Sequence, residues 1–224
     1  MKKKLLMITW RDIKSPFTGG AENLTHGILK QLRKKYTITV LTSAFPHCKI
    51  KENIDGIQYI RLGSRQFNYV GVYNWRVYFS VLRYWFLHIR NKQNYDVVIE
   101  QINNIPFLYP LYGGKKTIIY INQLCRINWF YQVPLMLSCI GFLIFEPLYL
   151  WLLRKQKVIT ISKSSKNDLV RFGFDKKNIH IIHVGIEFKP VTSLDRIKKF
   201  KHFSILSIGN IRSMKRTHDQ IEAF

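Results

Sequence analysis

Acidic residues are scarce in this 224-residue chain: 13 Asp and Glu stand against 36 Lys and Arg, a formal net charge of +23. Cysteine is scarcer still. Cys48, Cys125 and Cys139 lie far apart with no CxxC, which excludes a disulfide scaffold and points to a reducing compartment. There is no internal repeat or low-complexity tract, and no GxGxxG, Walker, GxSxG or HExxH pattern. The seven histidines show no metal spacing beyond a lone His180-x-x-His183, with no acidic ligands clustered near it. The apolar run after MKKK is short, is followed by Arg11, Asp12 and Lys14, and has no cleavage site, so it reads as a first strand rather than a leader. Several long apolar spans are also missing, which argues against a polytopic membrane protein. What is there is 47% hydrophobic, with 14% aromatics, too apolar for a disordered chain. A folded, very basic chain meets something anionic: nucleic acid, acidic lipid or a phosphorylated substrate.

Apolar, β-branched runs recur at Lys4–Trp10, Thr37–Thr42, Ile57–Leu62, Tyr95–Glu100, Thr117–Ile121, Val158–Ser162, Ile179–Val184 and Phe203–Ile208. They are continuous rather than alternating, as parallel strands buried on both faces are. Helical patterns fall at about 20–34, 74–92, 135–154 and 164–172, with another at 217–224. The alternation predicts an α/β fold with a Rossmann-like, doubly wound, mostly parallel sheet. Residues 187–201 are polar and weakly periodic, a linker. The expected organisation is one domain over 1–186, the linker 187–201, and over 202–224 the opening strand and helix of a second, truncated domain.

Five segments carry candidate chemistry. Gly19-Gly20-Ala21-Glu22 follows the first strand and opens a helix, where free N–H groups and the helix dipole favour an anion such as a phosphate; a plain turn is the bland alternative. In 74–92, Trp75, Phe79, Leu82, Phe86 and Ile89 make one apolar stripe, and Arg76, Arg83 and Arg90 a basic one on another face. That helix suits either a core contact or an anionic lipid surface. Residues 133–153 could span a bilayer by length, but Glu146, Pro147 and the sharing of one sheet by the flanking strands favour a buried or interfacial helical hairpin. Ser165 and Asp168 fit a capping box just after Ser162. Gly209 to Arg216 is a glycine turn whose Arg212 and Lys215 suit a diphosphate, or form a solvated basic loop.

Taken in order, these pieces resemble family 4 of the retaining glycosyltransferases, which have the two-domain GT-B fold. Val158 to Glu187 and Gly209 to Phe224 carry the most specific part. The resemblance implies an acceptor domain followed by a nucleotide-sugar domain, with the active site in the cleft between them. It implies donor phosphates near Gly19, Gly20, Arg212 and Lys215, and acceptor-side candidates Glu22, Asn122, Gln123 and Ser162. It implies front-face transfer with retention, without an obligatory metal or other cofactor, the nucleotide-diphosphate sugar being the donor substrate. A lipid-linked or glycan acceptor and a cytoplasmic, peripheral place on the inner membrane face follow from the same resemblance.

Three departures stand out. No two of Glu22, Glu52, Glu100, Glu146, Glu187 and Glu222 are eight apart, so the family's Glu-x7-Glu is missing. A His common after the fifth strand is replaced in Tyr120-Ile121-Asn122-Gln123-Leu124, where Asn122 hydrogen-bonds but cannot carry a proton. The usual Pro-Asn-Gly-x-Asp reads His183-Val184-Gly185-Ile186-Glu187. Hence two expectations compete: a truncated or split glycosyltransferase without activity on its own, or a non-catalytic acceptor- and membrane-binding subunit that partners a separate donor-domain chain. Nucleic-acid binding is suggested by charge alone, with no binding module, and is set aside.

Overall fold

Seven of the β-branched runs do form strands, and an eighth appears that the apolar pattern does not announce. The computed structural model describes residues 2–66, 76–91, 95–114, 117–185, 191, 193, 195, 198, 200–209 and 215–224. In chain order the main elements are β1 Lys3–Ile8, α1 Gly20–Leu32, β2 Tyr36–Ser43, β3 Lys51–Ile54, β4 Ile57–Leu62 and α2 Arg76–Tyr84. The last continues as a π-turn over Trp85–Ile89. There follow β5 Val97–Ile102, α3 Tyr109–Tyr112, β6 Thr117–Ile121, α4 Trp129–Gln132, α5 Leu135–Ile140, a second π-turn Gly141–Phe145, and α6 Glu146–Leu153. β7 Lys157–Thr160, α7 Lys163–Arg171, β8 Ile179–Ile181 and α8 Thr217–Glu222 complete the set.

The strands form one sheet in the order β3-β4-β2-β1-β5-β6-β7-β8, parallel except for β3. The doubly wound sheet inferred from sequence is therefore present. β3 is an antiparallel edge strand of sequence KENI, too polar to be read from hydropathy. Its signal is the Asp55-Gly56 turn: both residues adopt left-handed φ (51° and 78°), the geometry that closes two-residue hairpins.

Winding direction decides which face each helix covers. β1 to β2 moves one way along the sheet, and every step from β4 to β8 moves the other way. Right-handed crossovers therefore place α1 on one face and the later helices on the opposite one. Packing agrees. Leu29 of α1 sits with Leu5, Met7, Ile38 and Val40, whereas Val77 and Val81 of α2 pack on Leu6, Ile8 and Val98. Leu150 and Leu153 of α6 and Leu169 of α7 cover Ile102, Ile119 and Val158, and the registers put these on the same face as Val98.

Three expectations need correcting or narrowing. First, 133–153 is not a hairpin. α5, the π-turn and α6 run on as one 19-residue helix, Leu135–Leu153. Pro147 would break it by leaving a carbonyl without a donor. The π-turn lets the Glu146 N–H reach Gly141 O, and the Arg126 guanidinium supplies the missing donor to Phe142 O at 3.1 Å. This helix is long and apolar enough to cross a membrane, but β6 and β7 on either side of it pair directly in one sheet. A single crossing would put paired strands on opposite sides of the bilayer.

Second, of the two surfaces open to the apolar stripe at 74–92, the core takes only one of its described members, Ile89. Val77, Val81 and Ile89 are buried, while Phe79, Leu82 and Phe86 are exposed; Trp75 lies outside the described residues. Third, Phe203–Ile208 forms no strand. Phe203, Leu206 and Ile208 are each more than four-fifths exposed. A lone extended segment has no ladder to join and no face to bury. The linker expected at 187–201 falls mostly outside the described residues.

Candidate functional site

In a doubly wound sheet the ligand crevice opens where the strand order reverses, beyond the carboxyl ends of the strands. Here that is the gap between β1 and β5. Each strand ends there in a polar residue or leads into one. Thr9 follows β1, Gln101 is the penultimate residue of β5, Asn122 follows β6, and Ser162 lies two residues past β7.

Gln101 joins the two halves of the crevice. Its Oε1 accepts from the Thr9 hydroxyl at 3.0 Å and from the Thr25 hydroxyl of α1 at 3.1 Å, and it is 2% exposed. Its Nε2 is buried with no hydrogen-bond partner among the described residues, and the same holds for Asn122 Oδ1. A buried amide group left unpaired costs on the order of 1–3 kcal/mol. The sequence reading ended β5 at Glu100 and missed Gln101. The signal was a polar residue closing an otherwise apolar run, VVIEQI.

The loop between β1 and α1 is held from beneath by a buried ion-pair network that sequence reasoning also missed. The Asp12 carboxylate accepts from Arg61 Nε at 2.7 Å and from the Lys14 N–H at 2.8 Å. Arg61, fully buried on β4, also pairs with Glu52 at 2.8 Å and donates to Lys49 O at 2.8 Å. Its two carboxylate partners support its charge against burial, and its pKa stays above the ordinary guanidinium value. The Thr18 hydroxyl donates to Asp12 O at 2.6 Å, which ties the glycine turn to the same anchor.

At the glycine turn the geometry answers one question. Both oxygens of Glu22 already have partners within the turn. Its Oε2 accepts from the Gly19 N–H at 2.8 Å, the glutamate half of a capping box, and its Oε1 accepts from Arg11 Nε at 3.2 Å. Gly19 therefore has its own N–H occupied, while Gly20 is exposed with open space where a Cβ would lie. The carboxylates at this edge, Asp12 and Glu22, are both committed to cations and backbone donors.

Ser162, not Ser165, caps α7: its hydroxyl accepts from the Ser165 N–H at 3.1 Å. Ser165 Oγ instead donates to Asn122 O at 2.8 Å, which brings β6 and β7 together at the crevice. Gln123 is exposed beside them. Of the late basic turn, Arg212 lies outside the described residues. Lys215 is exposed, and its carbonyl accepts from Gln220 Nε2 at 3.0 Å. Among the described residues, the hydrogen bonds and ion pairs of 200–224 stay within that segment. One cluster with metal-ligating atoms exists there, His218, Asp219 and Glu222. It is exposed at helical spacing, with Asp219 paired to Arg216 and His218 to Glu222.

Behind the crevice, Glu100 is fully buried and accepts backbone N–H bonds from Phe107 (2.6 Å), Leu108 (3.0 Å) and Tyr109 (2.9 Å). Burial pushes its pKa up to about 7, against the pull of those three donors. The unfolded carboxyl loses its proton near 4.5, so between 4.5 and about 7 the folded chain binds one proton more. Stability therefore falls as pH rises through this window, by about 1.4 kcal/mol per unit and about 3 kcal/mol in all. Urea midpoints of Glu100→Gln measured from pH 4.5 to 7.5 should lack that slope. A variant profile parallel to the wild type overturns the assignment.

Sequence and structure comparisons converge on this architecture. The family model described as Glycosyltransferase Family 4 matches residues 18–189. No curated protein matches the chain. Among solved structures, sucrose-phosphate synthase (tll1590) from Thermosynechococcus elongatus aligns with a TM-score of 0.60 at 13% identity. The match covers 85% of this chain and 51% of the synthase. A second structure of that name aligns with a TM-score of 0.52 at 9% identity, covering 83% of this chain and 91% of the other. This chain thus spans about half the length of the first of these, and at such identities the likeness is one of fold.

Proposed function

The chain belongs to glycosyltransferase family 4, and from that premise we propose that it works in the transfer of a sugar, with retention of configuration, from a nucleotide-diphosphate sugar to a lipid-linked or glycan acceptor. Residues 1–185 supply the acceptor wall of the crevice. The observation that supports this most directly is that Gln101 Nε2, at the carboxyl end of β5, and Asn122 Oδ1, just past β6, are buried and unpartnered among the described residues, a donor and an acceptor suited to sugar hydroxyls. Gly20, exposed at the start of α1, would face the donor phosphates. Arg212 and Lys215 would complete the diphosphate site by supplying a bidentate fork and a point charge.

Membranes from cells making the chain, supplied with labelled UDP- or GDP-sugars, should incorporate label that membranes lacking it do not. Gln101→Leu should lower that incorporation by about tenfold or more, the loss of one or two hydrogen bonds to a polar group. No chain-dependent label, or an inverted product by NMR, would sink the proposal.

One observation favours a second reading, a non-catalytic acceptor-binding subunit partnering a separate donor-domain chain: Glu22 already fills the Gly19 N–H, which leaves the turn one donor poorer. On that reading the purified chain turns over no nucleotide sugar, yet restores incorporation to deficient membranes.

A further inference from the structure

The face of the sheet covered by α2 and α5–α6 carries an outer surface that water alone does not explain. Along the helix Leu135–Leu153, every side chain that points outward is apolar. Leu135, Met136, Leu143 and Ile144 are each more than 60% exposed, and Trp151 is 53% exposed. Its single acid, Glu146, is fully buried. Soluble monomers rarely present a contiguous apolar patch beyond a few hundred Å², and such patches mark interaction sites.

Beside it in the same layer, α2 and its π-turn expose Arg76, Phe79, Arg83, Phe86 and Arg90. At spacings of three and four these share one stripe, so cations and aromatics interleave on a single side, not on two sides as the sequence pattern suggested. The Arg90 guanidinium lies 5.1 Å over the Phe86 ring. Lys155 and Lys157, both exposed, follow the apolar helix, and Arg154 lies 4.8 Å over Trp151.

We infer that this layer docks on an anionic lipid bilayer, with the outer side of Leu135–Leu153 seated among the acyl chains at the interface and the arginine stripe on the headgroups. Charge selects this occupant. Aromatic and aliphatic side chains interleaved with cations, and no exposed acid on either helix, are what a lipid interface recognises. A second copy of the chain would bring another +23 against the same side. Spanning is excluded by the β6–β7 pairing.

Topology adds a direction. The helix runs back along the sheet from the crevice edge to the start of β7, so its most exposed turn, Leu135 to Leu137, lies at the crevice edge. A lipid-borne acceptor would enter there. That consequence rests on the sugar-transfer reading, whereas the docking does not.

The test is sedimentation of the full chain with vesicles of phosphatidylcholine containing roughly one-third phosphatidylglycerol. Binding should be saturable in about 10 mM salt and largely lost in about 1 M, where screening shortens to a few ångströms. Leu143→Ser/Ile144→Ser and, at the open first turn, Leu135→Ser/Met136→Ser should each weaken it about tenfold, with unchanged circular dichroism. Arg83→Glu should do the same at low salt only. Equal binding to pure phosphatidylcholine overturns the headgroup assignment, and wild-type binding by every variant overturns the surface. A dimer in sedimentation equilibrium that these variants dissolve would assign the face to a second copy instead. No sugar is needed for any readout, so a failed transfer assay leaves this result standing or falling by itself.

Discussion

Arg61→Met should lower the unfolding free energy by about 3–5 kcal/mol, measured as a fall in the urea midpoint at constant slope. Arg61 and Asp12 are both fully shielded from water, 2.7 Å apart. Methionine fills much of the arginine stem but strands the Asp12 carboxylate in a site with only the Lys14 N–H left to meet it. The cost comes from the orphaned charge, not from lost attraction. The double variant Arg61→Met/Asp12→Asn should therefore recover most of it, returning to within about 1–2 kcal/mol of the wild type. Glu52 keeps Lys14 at 2.5 Å when Arg61 is gone and needs no rescue. If the double variant is as unstable as the single, the pair stabilises by attraction and the reasoning fails.

Glu146→Ala should cost a similar amount, about 3–5 kcal/mol. Its carboxylate is fully buried and accepts from the Cys125 N–H (2.7 Å), the Arg126 N–H (2.8 Å) and Trp129 Nε1 (3.0 Å). Removing it leaves two buried donors and the half-buried Arg126 N–H with nothing to meet, and Arg126, held at a left-handed φ of 39°, loses what holds it there. Glu146→Gln keeps the shape and one acceptor oxygen, so it should lose distinctly less. Cys125 gives an independent readout. Burial pushes its thiol up to about 12, with the nearby Glu146 charge adding to the rise. In Glu146→Ala it should react with a thiol reagent faster at neutral pH, whereas an unchanged rate would mean the loop keeps its packing.

Much of the fold was legible because parallel strands buried on both faces announce themselves. Leu5 to Ile8, Val40 to Thr42 and Ile119 to Ile121 are runs of buried residues with no alternation, as in the sequence reading. What escaped has specific causes. β3 is polar because it lies at an edge, and Arg61 and Gln101 hide inside apolar strands because their partners, Asp12 and Thr25, are far away in sequence. For the helix at 76–89 the sequence left two surfaces open, because periodicity finds a stripe but not what it faces. Phe79 and Phe86 look like core and Val77 and Val81 are the core. The glycine pair and Glu22 were both singled out, yet the bond from the Gly19 N–H to Glu22 was not, since spacing gives a residue's position on the turn but not where its side chain folds. Pro147 misled for the same reason: its cure, Arg126, sits 21 positions upstream.

That last contact has a consequence for assembly of the chain. A helix that borrows a donor from Arg126 to pass its own proline is not an autonomous unit. Its middle turn can close only after the segment from Leu124 to Gln132 has folded back onto it, with Trp129 lying where a Cβ on Gly141 would come within 2.6 Å. The most apolar stretch of the molecule is therefore stabilised together with that segment and not by itself.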